Sequence, residues 1–107
     1  MPHLTVEYSA NLATTGDIAG LCRALHAAMQ DTGLFELGAI RVRAQRCDDY
    51  AVADLLPQNG FADLRLRIGE GRTLREKRTA GEVIFAAAVA HFAPLFETPH
   101  FALTFSI

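Results

Sequence analysis

Three residues combine types and positions that favour proton transfer beside a bound anion: Pro2, Arg41 and Arg72. If Met1 is removed, Pro2 becomes a secondary amine at the chain end, and a neutral amine held in place can act as a base. The alternating segment 3–8 that follows predicts a β-strand, so the amine is expected at a strand end. The alternative is that Pro2 is an ordinary start residue on an idle terminus.

Arg41 and Arg72 lie where the sequence predicts the ends of loops. Arg41 opens an alternating segment, and Arg72 follows Gly69-Glu70-Gly71 just before a predicted helix, whose free N–H groups attract anions. Arginine grips carboxylates with paired hydrogen bonds, so both residues are candidate anion ligands. The alternative is that they are solvated charges. The glycine turn lacks the rest of any dinucleotide or P-loop motif.

The remaining candidate residues carry weaker signals. His3 stands beside the candidate base and is a candidate substrate-binding residue, although a structural contact is the commoner role for a histidine at a strand start. Cys22 and Cys47 have no histidines at metal-ligand spacing, so we predict two small buried hydrophobic residues and no metal site. No carboxylate pair is placed for acid–base work.

The first half of the chain reads as a β-α-β unit. Segment 3–8 predicts a strand, and apolar residues at helical spacing predict a helix over 17–31, capped by Asp17 and stopped by Gly33. Alternation over 39–46 predicts the second strand. A strand that returns through a helix is expected to run parallel to the first.

Residues 48–60 form the predicted connection between the halves. It is expected to hold a short strand at Tyr50–Ala53, and Pro57–Gly60 is a strong turn signal.

The second half repeats the pattern of the first. Segment 61–68 alternates, and Thr73 and Glu76 fit a capping box at the start of a helix. Pro94 should kink or end that helix, and segment 101–107 alternates again. The sequence therefore predicts a second β-α-β unit.

We predict an α+β fold for a single domain covering residues 1–107, with a pseudo-repeat of 2–46 and 61–107. Its two consecutive β-α-β units would form a four-stranded mixed sheet with both helices on one face. The opposite face, either solvated or covered by another subunit, would carry Thr5, Glu7, Arg43, Arg65 and Arg67.

The composition excludes several classes of protein. At 107 residues and 50% hydrophobic, the chain is a single globular domain with a surplus of apolar residues that favours oligomerisation. A net charge of −2 argues against general nucleic-acid binding. The start does not read as a signal peptide, and the apolar stretch 83–95 is too short to span a membrane, so we expect a cytoplasmic protein.

Four segments together resemble one known family. In these segments the chain is similar to the 5-carboxymethyl-2-hydroxymuconate delta-isomerase family of the tautomerase superfamily. The segments are Pro2-His3, residues 32–43 with Ile40-Arg41-x-Arg43, residues 68–74 with Ile-Gly-x-Gly-Arg-x-Leu, and Ala80-Gly81-Glu82. The segments occur in the family's order and span nearly the whole chain.

The resemblance implies a reaction and a site. Pro2, after loss of Met1, would be the general base, and Arg41 and Arg72 would handle the anionic substrate. The reaction would be a 1,3-allylic proton transfer that shifts a double bond in 5-carboxymethyl-2-hydroxymuconate or a similar acid, during homoprotocatechuate catabolism. The family implies a homotrimer with sites near subunit interfaces, a small polycarboxylate substrate, and neither metal nor cofactor.

Two alternatives stay open at this level. One is another activity of the tautomerase superfamily, such as 2-oxo acid tautomerisation, hydration or dehalogenation. The other is a trimeric binding module without catalysis.

Overall fold

The computed structural model describes all 107 residues. In chain order the elements are β1 (His3–Ser9), α1 (Ile18–Asp31), β2 (Arg41–Cys47), β3 (Gly60–Arg67), α2 (Leu74–His91) and β4 (Phe101–Ser106), with short 3₁₀ turns between some of them. These bounds lie close to the predicted elements. Neither helix has the length and apolar character needed to cross a membrane.

The four strands form one mixed sheet in the order β2-β1-β3-β4. Each half of the chain supplies a parallel pair, β1 with β2 and β3 with β4, while β1 and β3 run antiparallel at the centre. In this register Leu4 lies between Val42 and Leu66. The predicted α+β fold with a four-stranded mixed sheet is confirmed.

Both helices cover the same face of the sheet, where alternate strand residues are apolar. The apolar residues with no exposed surface come from strands and helices alike: Leu4, Val6, Leu21, Leu25, Met29, Leu64, Ile84 and Ala88. Burying one leucine side chain stabilises the fold by roughly 1.5–3 kcal/mol. The opposite face is uncovered in the single chain.

The predicted helix caps are confirmed. The Asp17 side chain accepts a hydrogen bond of 3.2 Å from the Gly20 N–H at the start of α1. At α2 the Thr73 hydroxyl accepts from the Glu76 N–H at 3.1 Å, and the Glu76 carboxylate accepts from the Thr73 N–H at 2.9 Å. Gly33 follows α1 with a φ of +69°, as expected of a glycine that ends a helix.

The predicted short strand at Tyr50–Ala53 is wrong. Ala53 and Leu55 take left-handed φ angles of 49° and 68°, which turn the chain instead of extending it. The Asn59 side chain also donates a hydrogen bond of 2.7 Å to the Asp54 carboxylate. The Asn11 side chain donates to the carbonyl oxygens of Pro57 and Asn59, so this connection is held both by its own side chains and by the segment after β1.

The prediction that both cysteines are buried is also wrong, since Cys22 and Cys47 are half-buried free thiols. Cys47 ends β2, an edge strand with no neighbour on its outer side. Cys22 lies on α1 facing a cleft beside that strand. Partial burial raises the pKa of the Cys22 thiol, opposed by the charge of Arg23, so the thiol stays protonated and weakly nucleophilic.

Candidate active site

One edge of the sheet brings the sequence-predicted candidates into a common region. Strands β1 and β2 begin at this edge and β3 ends there, so His3 pairs with both Arg41 and Arg67. Pro2 directly precedes β1, and Arg72 lies in the loop that joins β3 to α2. The topology therefore gathers residues that are far apart in the chain.

Pro2 is held by β-pairing at the start of the sheet. Its carbonyl oxygen accepts a hydrogen bond of 3.1 Å from the Arg41 backbone N–H. Pro2 is buried, whereas Met1 is 70% exposed. Because side chains alternate along a strand, the Pro2 ring shares the helix-covered side with Leu4 and lies opposite His3.

The Arg41 side chain is anchored near the backbone at the start of β2. Its Nη1 group donates to the carbonyl oxygens of Gly38 at 2.8 Å and Ile40 at 3.0 Å. These bonds use one terminal nitrogen and leave the other donors of the guanidinium available. Arg41 also lines a cleft of about 560 Å³ between α1 and β2, with Arg23 and His26 across from it.

The Arg72 guanidinium lies over an aromatic ring. Its Cζ atom is 4.9 Å from the centroid of Phe35, a side chain that is only 9% exposed. The Nε of Arg72 is buried and has no hydrogen-bond partner. Gly71 precedes it with a φ of +98°, a conformation that other residues rarely adopt. The loop thus presents a cation whose hydrogen-bonding capacity is unused.

Carboxylates neutralise other arginines but not these two. Arg65 pairs with Asp63 at 3.0 Å and with Glu7 at 3.6 Å, and a separate ion pair joins Arg46 to Asp48. Neither Arg41 nor Arg72 has a carboxylate partner in the structure. Most arginines of the chain lack a carboxylate partner, but Arg72 is also partly buried, and because a partly desolvated cation is stabilised by an anion, its loop favours a negatively charged ligand.

His3 lies on the uncovered face, where arginines surround it. Its Nδ1 is 3.1 Å from Nη1 of Arg43, and since arginine can only donate, Nδ1 accepts and the proton of the neutral ring sits on Nε2. Partial desolvation, followed by the charges of Arg67 and Arg43, lowers the pKa of His3. The ring is therefore a neutral hydrogen-bonding group at neutral pH.

The uncovered face forms a shallow hollow of about 220 Å³ that contains no apolar side chain. Its lining is His3, Thr5, Glu7, Arg43, Gln45, Arg65 and Arg67. The five residues predicted for this face are all present. Because side chains alternate along a strand, this hollow and the Pro2 ring lie on opposite faces of the sheet, so His3 is separated from Pro2.

Sequence reasoning did not assign a role to Phe35. Within segment 32–43 the type and spacing of this residue resemble those of any core aromatic. Its contact with Arg72 arises where the loop after α1 and the loop after β3 reach the same edge. Only the folded topology brings these two loops together.

The sequence matches one known protein family over nearly its whole length. A sequence model of the 5-carboxymethyl-2-hydroxymuconate isomerase family matches residues 2–107. The chain is 36% identical over 107 residues to 5-carboxymethyl-2-hydroxymuconate Delta-isomerase from Escherichia coli, a match that covers 100% of this chain and 85% of that protein.

Solved structures give the same result. A crystal structure of a 5-carboxymethyl-2-hydroxymuconate delta-isomerase superposes with a TM-score of 0.93 at 38% identity, covering 100% of this chain and 81% of the other. A 5-carboxymethyl-2-hydroxymuconate isomerase from Deinococcus radiodurans R1 superposes with a TM-score of 0.91, also at 38% identity, covering 99% and 80% of the two chains.

Proposed function

The chain belongs to the 5-carboxymethyl-2-hydroxymuconate isomerase family and is an isomerase, and we propose that it shifts a double bond in a 2-hydroxymuconate-type acid. The proposed substrate is 5-carboxymethyl-2-hydroxymuconate or a close analogue formed in homoprotocatechuate breakdown. The proposed base is the amine of Pro2, which requires removal of Met1. Arg41 and Arg72 are the proposed ligands of the substrate carboxylates.

The reaction needs one base that takes and returns a single proton. The substrate's enol O–H loses its proton to the base, a carbonyl forms, the conjugated double bond moves, and a carbon atom receives the proton back. Negative charge accumulates on the dienolate between these steps. Cations fixed nearby stabilise that charge, and arginine stays protonated throughout.

The amine of Pro2 becomes a base only after the Met1–Pro2 bond is cut. With Met1 attached the nitrogen belongs to a tertiary amide, which has no basic lone pair. A free secondary amine is ordinarily protonated at neutral pH, and partial burial and neighbouring guanidinium charges both favour its neutral form. The burial of Pro2 and the pairing of Arg41 with it support this assignment.

The unpaired guanidinium of Arg72 is the observation that supports this proposal most directly. Its guanidinium is partly buried, makes no hydrogen bond within the chain, and has no carboxylate partner, while its Nε is buried unpaired. A buried donor without an acceptor costs about 1–3 kcal/mol. A substrate carboxylate at this edge would recover part of that free energy through paired hydrogen bonds to the guanidinium.

An assay with matched chains tests the proposal. The Met1-processed protein and a form with one extra residue before Pro2 are compared on 5-carboxymethyl-2-hydroxymuconate, following the loss of dienol absorbance. We expect turnover by the processed protein and none by the extended form, with equal circular dichroism. Absence of turnover by the processed protein, or equal turnover by both, would contradict the proposal.

We further propose that the protein assembles as a homotrimer in the cytoplasm. The uncovered sheet face, with its arginines and carboxylates in fixed positions, supports contact with other copies of the chain. The two free thiols suit a reducing compartment. Three copies of the 11.6 kDa chain give a mass of about 35 kDa, which light scattering can measure. A monomer mass at assay concentration would refute the trimer.

A further inference from the structure

We propose that Phe35 is a positioning residue for Arg72: its ring holds the guanidinium so that the terminal Nη groups face a carboxylate of the substrate. This inference rests on the proposed function of the site. It assigns to a core aromatic a role in substrate binding that acts through the arginine.

The contact has the geometry of a cation–π interaction. The Arg72 Cζ lies 4.9 Å from the Phe35 ring centroid, inside the range of about 6 Å over which such contacts are favourable. Phe35 is 9% exposed and belongs to the main hydrophobic core. The ring is therefore a rigid platform, and the Arg72 side chain that lies over it is partly buried.

The Arg72 guanidinium makes no hydrogen bond and no ion pair within the chain. None of its nitrogens makes a hydrogen bond, and only Nε is buried, so the Nη groups reach solvent. Hydrogen bonds from Thr73 and, to a smaller extent, the charge of Arg72 lower the pKa of the neighbouring Glu76 carboxylate. That carboxylate accepts the Thr73 N–H at 2.9 Å in the capping box. The ring of Phe35 thus restricts the guanidinium in place of an ion pair.

An ion pair in this position would work against ligand binding. A carboxylate of the chain would compete with the substrate for the guanidinium, whereas an aromatic ring fixes the cation and leaves its in-plane donors free. Holding the side chain in advance also lowers the entropy lost when the ligand binds, because a free arginine samples many rotamers. Phe35 should therefore improve affinity for carboxylates without contacting them.

A double-mutant cycle tests this role. Four proteins are compared by kcat/KM: the unmodified chain, Phe35→Leu, Arg72→Ala and the double variant. Because Phe35 acts through Arg72, Phe35→Leu should lower kcat/KM roughly five- to tenfold in the unmodified chain and less than about twofold after Arg72→Ala. Phe35→Tyr keeps the ring and should retain nearly full activity. Losses that simply multiply would show a purely structural role and overturn the proposal.

A binding measurement separates this inference from the proposed reaction. Muconate has two carboxylates but no enol proton to transfer, so its affinity by calorimetry does not depend on catalysis. Muconate should bind the unmodified chain and Phe35→Tyr equally, and Phe35→Leu roughly five- to tenfold more weakly. If Phe35→Leu fails to fold, Phe35→Met replaces it. Equal muconate affinity in the ring-free variant overturns the positioning role even if turnover is normal.

If the unmodified chain binds muconate with this dependence on Phe35 but does not isomerise the hydroxymuconate, the proposed reaction fails and the positioning role stands.

A proton NMR signal from the Arg72 Nε–H gives an independent measurement of how the guanidinium is held. It should sharpen in proteins with a ring at position 35 and broaden in Phe35→Leu. Identical line widths would contradict the restriction of the guanidinium by the ring.

Discussion

The backbone N–H of Arg41 donates a hydrogen bond of 3.1 Å to the carbonyl oxygen of Pro2. This bond joins the residue before β1 to the first residue of β2, so the proposed base and one proposed cation are fixed by the same parallel pairing. A displacement of either strand would move both groups. The edge of the sheet is therefore the unit that positions the site.

Replacing Pro2 by alanine should lower kcat by roughly 10²-fold, because general-base catalysis contributes about 10²–10⁴ and a primary amine replaces the fixed ring nitrogen imperfectly. Stopped-flow assays give kcat, and circular dichroism checks that the fold is retained. Normal turnover by a folded, Met1-processed Pro2→Ala protein would exclude a special role for the ring.

Replacing Arg72 by alanine should lower kcat/KM by about 10–100-fold, the value of one or two charge-assisted hydrogen bonds to a carboxylate. The free energy of unfolding should change little, because the lost cation–π contact with Phe35 is offset by removal of a buried donor that has no partner. Arg75→Ala is the matched control, since Arg75 is exposed in the first turn of α2. Similar kinetics in the two variants would remove Arg72 from the site.

His3 makes stability depend on pH. Partial desolvation, then the charges of Arg67 and Arg43, lowers its pKa below the usual 6.5, so the unfolded chain binds the proton more tightly than the folded one. The full stability is present above pH 6.5, the pKa of histidine in the unfolded chain. Part of it is lost as the pH falls from 6.5 towards the lower pKa of His3 in the folded chain.

The non-titrating variant His3→Gln should therefore lose less stability than the unmodified chain between about pH 8 and about pH 5. Urea unfolding at the two pH values measures the difference. Equal losses in both proteins would show that His3 does not titrate differently on folding.

The capping box at α2 should be worth a measurable part of the stability. Thr73→Ala removes the hydroxyl that accepts the Glu76 N–H, at a cost of about 1 kcal/mol in the free energy of unfolding. Thr79→Ala, at an exposed position inside the same helix, should change it by less than about 0.5 kcal/mol. Thermal or urea unfolding compares them, and equal effects would argue against the cap.

Local patterns were sufficient to predict most of the fold. Alternation defines strands such as β1, and the reciprocal bonds of Thr73 and Glu76 follow from residue type and spacing alone. The prediction for the connection is wrong because Tyr50–Ala53 has strand-like composition, whereas the folded loop turns at the left-handed Ala53 and Leu55. It also contains a hydrogen bond from Asn59 to Asp54 that no local pattern predicts.

The site was predictable in part. The hydrogen bond between Pro2 and Arg41 follows from two parallel strands that begin at the same edge. The stacking of Arg72 on Phe35 does not, because it depends on how two loops pack after the helices have docked. A side-chain contact between loops has no periodic signal in the sequence.

The protonation state of the Pro2 amine decides whether this group can act as the base. Protein labelled with ¹⁵N-proline and freed of Met1 is titrated by NMR, and the pH dependence of kcat/KM is measured on the same sample. We predict a Pro2 amine that is mostly neutral at about pH 7, with the same titration governing kcat/KM. An amine still protonated above about pH 8, or full activity in chains that retain Met1, would exclude Pro2 as the base.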